Sequence, residues 1–161
     1  MSDAERDALL DSLQHFPQQV AALVGVVPTE RWRERAPGGG FAVVEHLCHL
    51  RDLEREGFIE RIGRILAEDM PELHEIDGSA LADERHYLAQ DAVQALGDWQ
   101  AARARTVAML REALPRHALR KGVYGGFGVV TLAALAEGIN AHDQTHRREM
   151  EELVALLREG A

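Results

Sequence analysis

Apolar residues recur at three- and four-residue intervals through four long stretches of the chain, and each stretch predicts an amphipathic helix. The first, Ala4 to Gly25, carries Leu9, Leu13, Phe16, Val20, Leu23 and Val24 on one stripe, with Ser2 or Asp3 as its N-cap. Pro17 lies inside that stripe and predicts a kink. The second, Phe41 to about Glu68, repeats Val43, Val44, Leu47, Leu50, Leu53, Phe58, Ile62, Ile65 and Leu66, with Gly57 as a bend position. The third, Asp91 to Leu114, places Val93, Leu96, Trp99, Thr106 and Leu110 on heptad spacing and is closed by Pro115. The fourth, Val129 to Arg158, continues the seam through Leu132, Leu135, Ile139, Leu153 and Leu156.

The connections are marked by helix breakers. Val26 to Gly40 holds Pro28, Pro37 and three consecutive glycines, so it reads as a loop with one short turn around Glu30 to Glu34. Asp69 to Gln90 is mixed and polar, with Pro71 and Gly78, and predicts a long crossing of the kind that covers a site. Gly122 to Gly128 reads as a glycine-rich hinge; it lacks the lysine and following Ser/Thr of a phosphate-binding loop, and no strand precedes it. With no repeats and no convincing strands, the pattern predicts an all-α protein: a four-helix bundle with long crossover connections, one domain over residues 1–161.

Charge and cysteine content narrow the partners. The chain has 18 Lys+Arg against 27 Asp+Glu, a net charge of -9, which disfavours nucleic acid as a partner because phosphate binding needs clustered positive charge. The single cysteine, Cys48, excludes an internal disulfide and a cysteine-based metal cluster, as expected in a reducing compartment. The N-terminus is charged and no apolar run has signal-peptide or membrane-span length, so the expected location is the cytoplasm, away from membrane.

The histidines supply the candidate chemistry. His142 and His146 are four apart, one helical turn above each other, among the apolar residues of the seam. Neutral imidazoles placed in this way are good ligands for Zn²⁺, Ni²⁺ or Fe²⁺. The second helix carries two more histidines, His46 and His49, and both need explanation. Periodicity puts His46 at the edge of the apolar stripe and His49 further round, toward Glu45, Asp52 and Glu56, so the pattern slightly favours His46. Arg103 falls on the seam of the third helix, where the leading reading is a pair with a carboxylate and the alternative is an anion site.

Two motifs in order, Phe41-Ala42-Val43-Val44-Glu45-His46-Leu47-Cys48-His49-Leu50-Arg51-Asp52 and later His142-Asp143-Gln144-Thr145-His146-Arg147, resemble the DinB/YfiT-like family. The resemblance covers most of residues 28 to 155. It implies a metal held by His49, His142 and His146, since in that family the ligand histidine is followed by an aliphatic residue and, three on, by Asp. His46 then becomes a packed or hydrogen-bonded histidine. The chain departs from the family at Phe41-Ala42, where Trp-Ser or Trp-Thr is usual, and at Glu149, where many relatives carry Gln.

Three neutral histidines leave a coordination position open, which is what separates a catalytic from a structural site. Characterised relatives include isomerases and S-transferases that use mycothiol or bacillithiol, so the resemblance implies a metal-dependent thiol S-transferase acting on a small molecule. The alternatives are a metal-dependent hydrolase on the same ligands, or a non-enzymatic, stress-associated dimeric bundle that binds a metal or small ligand. A homodimer is expected in each case, because Phe58 and Ile59 exceed what one helix face needs and relatives commonly dimerise. Glu45, Asp52 and Asp143 are the acidic candidates for orienting the imidazoles, while His74, Asp77, His86 and Tyr87 in the crossing segment are left unassigned.

Overall fold

The structure is a computed structural model and describes residues 1–159. Four long helical segments form the bundle: α1 (Asp3–Val24), the α2–α3 segment, α5 (Ala92–His117) and α6 (Leu132–Glu159). Ser2 caps α1 reciprocally with Glu5, and Pro17 is buried within a helix that runs on through it. The second segment comprises α2 (Val43–Asp52), a π-helical stretch (Leu53–Phe58) that contains Gly57, and α3 (Ile59–Ala67). Each π turn takes up an extra residue and rolls the helix face beyond it. Nine of the ten residues of α2 are buried, so this helix runs through the middle of the protein with no wet side.

The expectation of no strands is corrected. Glu72–Leu73 (β1) pairs in parallel with Lys121–Tyr124 (β2), which pairs antiparallel with Gly128–Thr131 (β3). What reads as a glycine hinge is the turn of this hairpin, with Gly125 and Gly128 at φ +38° and +72°. The signal was present in Val123-Tyr124 and Val129-Val130-Thr131, two β-forming runs on either side of Gly-Gly-Phe-Gly. The fourth helix accordingly starts at Leu132, where the Thr131 hydroxyl accepts the Ala134 N–H.

The third helix continues through Pro115 to His117, and Val93 is 64 % exposed; its buried seam begins at Ala95 and Trp99. The crossing segment is partly ordered into β1 and α4 (Gly78–Glu84), whose N-cap Asp77 accepts from the Ser79 and Ala80 amides. Phe58, offered by the sequence to a dimer face, is buried within one chain against His142. Among the described residues no helix is long and apolar enough to cross a membrane.

Candidate metal centre

The rigid spacing of α6 sets His142 and His146 one turn apart with ring centroids 4.4 Å apart, and α2 delivers His49 opposite them. The three residues each offer a ring nitrogen, all within 4.8 Å of one another. His49 Nε2 and His142 Nε2 lie 3.4 Å apart. Two nitrogens bound at about 2.0–2.1 Å to one tetrahedral ion would be separated by about 3.4 Å, so the donor set fits such an ion.

Protonation agrees with geometry. Burial, reinforced by charge on neighbouring imidazoles, pushes His142 down to about 2 and His46 to about 3. Burial likewise lowers His49 and His146 to about 4. All four are therefore neutral at pH 7, with lone pairs available to a cation. The buried Nδ1 atoms of His49 and His142 have no hydrogen-bond partner.

His46 joins the site from the side. Its Nδ1 is 3.1 Å from His146 Nδ1, and Glu149 Oε2 is 3.2 Å from the same His146 atom. The hydrogen bond of that nitrogen runs to His46, and Glu149 stands beside it as a neighbouring carboxylate. Sequence reasoning could not assign this residue; its spacing, three beyond His146 on one helix, was the available signal. His46, His146 and Glu149 also bring three donor atoms within 4.8 Å of one another.

The three acidic candidates named from sequence are committed elsewhere. Glu45 takes Arg35 and the Ala42 amide. Asp52 takes Arg51, Arg85 and the Tyr87 hydroxyl, the last at 2.7 Å. Asp143 accepts two hydrogen bonds from Arg103, at 2.6 and 2.9 Å, and Arg103 also reaches Glu54 at 2.8 Å. Arg103 is therefore a buried, carboxylate-paired arginine, and its bonds fix the roll of α6 between the two histidines.

The imidazoles line a cleft of about 740 Å³ with Phe41 and Glu149 on its wall. Phe41 packs on both His46 and His49, at 5.5 and 5.4 Å between centroids. From the crossing segment, Gly78 covers His49 so closely that a Cβ there would sit 2.3 Å from the ring. Asp77 lines the cleft while capping α4, and His74 contributes its carbonyl to Arg61. Cys48 turns away toward Gln90, 3.6 Å from its side-chain oxygen, and burial pushes its thiol up to about 11, so it offers no nucleophile.

The sequence profile of the DinB superfamily matches residues 12–150. No curated protein matched the chain. Among solved structures it is similar to YfiT from Bacillus subtilis, described as a probable metal-dependent hydrolase with an unusual four-helix bundle topology. The TM-score is 0.83 at 19 % identity, over 99 % of this chain and 89 % of that one.

Proposed function

The chain belongs to the DinB superfamily, and from that premise we propose that His49, His142 and His146 hold one divalent first-row metal at the centre of a metal-dependent enzyme. The observation that carries the reading is the convergence of three neutral imidazole nitrogens on the floor of an open cleft. Bound there, such an ion supplies an open Lewis-acidic position that lowers the pKa of a thiol or a water.

The chain's own residues favour the thiol. A thiol needs only to lose its proton to become a nucleophile, so a site with little acid–base machinery suffices. Glu149, half exposed on the cleft wall, can take up that proton, and its contact with His146 holds the ring in place. The cleft has room for a low-molecular-weight thiol such as mycothiol or bacillithiol beside an electrophile. Hydrolysis is the second reading. It is favoured by the description of YfiT and by the same Glu149, which is equally placed to deprotonate water.

Elemental analysis of protein purified without a histidine tag is the first test. The expected result is about one metal per chain, lost in His49→Ala and retained in His46→Ala. Protein that stays metal-free after reloading with Ni²⁺ or Zn²⁺ sinks the enzyme reading. Turnover of an electrophile only when thiol is supplied selects the S-transferase, and ester or amide cleavage without thiol selects the hydrolase.

A further inference from the structure

Arg61 on α3 is 3 % exposed, yet no carboxylate pairs with it among the described residues. Its Nε donates to the His74 carbonyl at 2.9 Å, and its buried Nη2 has no partner. Arg103, equally buried, is held by two carboxylates. A buried guanidinium without an anion is costly in any protein, and the more conspicuous in a chain with 27 acidic residues to draw on.

The surroundings of Arg61 suggest what completes it. The guanidinium stands 4.6 Å over the Tyr124 ring and forms part of the wall of a cavity of about 400 Å³. The rest of that wall is almost entirely apolar: Phe58, Phe127, Val130, Leu135 and Ile139 among others. Gly57 leaves space for the guanidinium, since a Cβ there would come within 3.1 Å of Nη1. Phe127, 76 % exposed, stacks on Tyr124 at the hairpin turn. Leu53 and His142 line both this cavity and the histidine cleft, so the two spaces share a wall that holds a candidate ligand.

We propose that this cavity is the substrate subsite for a small organic acid, with a carboxylate on Arg61, an apolar or aromatic body between the aromatic side chains, and the reacting end toward His142. The proposal rests on the metal-enzyme reading for the identity of the reacting end. A carboxylate is chosen over a phosphate because one guanidinium matches one negative charge, and apart from Tyr124 and His142 the remaining walls are apolar.

The test is titration calorimetry with 4-phenylbutyrate and its neutral amide, alongside metal analysis of each sample. Wild type is expected to bind the acid at least about tenfold more tightly than the amide, the scale of a charge-assisted hydrogen bond. Arg61→Met should erase that preference with metal content unchanged. Phe127→Ala, a surface change that spares folding, should weaken acid and amide alike. Equal affinity for the two probes in wild type, no binding of either, or a preference that survives in Arg61→Met overturns the subsite. His49→Ala separates the two readings: loss of metal with the acid preference intact locates the carboxylate at Arg61, whereas loss of both places it on the metal and overturns the proposal. A wild type without metal that still prefers the acid defeats the metal reading alone.

Discussion

His46 and His49 are three positions apart, which on a helix leaves them about 60° from each other and on one side of α2. That is why periodicity and motif register disagreed over a difference the structure does not make: both rings reach the cleft, in different roles. His49 faces His142 through Nε2, and His46 meets the far nitrogen of His146. The slight preference of the hydrophobic pattern for His46 carried little weight because α2 has no exposed face against which to measure an inward one. Spacing along α6 made the His142–His146 pair legible, whereas Glu149 and Gly78 matter through distances that no local pattern encodes. Glu149→Ala should weaken metal binding by about 10- to 100-fold, and Glu149→Gln by less, since an amide keeps a polar oxygen beside His146 Nδ1. Competition with a chromophoric chelator measures this, and equal affinities for wild type and Glu149→Ala would remove the carboxylate from the centre. Gly78→Ala would drive a methyl into the His49 ring, so it should lower metal content while circular dichroism keeps its helical signal.

At the scale of elements, the four helices were legible because each shows a long 3.6-residue period, and a resemblance spanning two ordered motifs agreed with it. Short strands of two to four residues are set by pairing across the chain, and the same glycines serve a hinge or a hairpin turn. The π stretch was invisible for a related reason. One extra residue in a turn shifts phase without altering composition, and Glu54, which the period does not mark as inward, lies wholly buried inside it. There it meets Arg103 of α5, which also binds Asp143 of α6 and donates to the Leu13 carbonyl of α1. One guanidinium thus ties all four bundle segments together beside the candidate metal centre. Replacing it with Met leaves two buried carboxylates facing each other, and breaking such a group costs about 3–5 kcal/mol. Arg103→Met should therefore melt on the order of 10 °C below wild type. A shift of only a degree or two would mean that the network contributes little beyond filling space.

The whole molecule stores four imidazoles in neutral form, and this gives its stability a direction with pH. In the unfolded chain each titrates near 6.5, while in the folded, chelator-treated protein burial holds them at about 4 or below. Between those values the unfolded state binds more protons, so stability must fall as pH falls, by roughly 1.4 kcal/mol per pH unit for each histidine that is charged only when unfolded. Above pH 7 both states are neutral at these positions and the effect vanishes. The urea midpoint of metal-free protein is therefore expected to be flat from pH 8 to 7 and to decline steeply from 6.5 to 5, a window above the range where most carboxylates titrate. His142→Gln removes the most strongly displaced of the four and should flatten the decline. Metal should shift the curve too, because an ion that binds only deprotonated imidazoles adds stability most fully at the high end of the range. A midpoint that held constant from pH 7 to 5 in metal-free protein would mean that these rings already take up protons in the folded state, and would remove the neutral donor set on which the metal-centre reading depends.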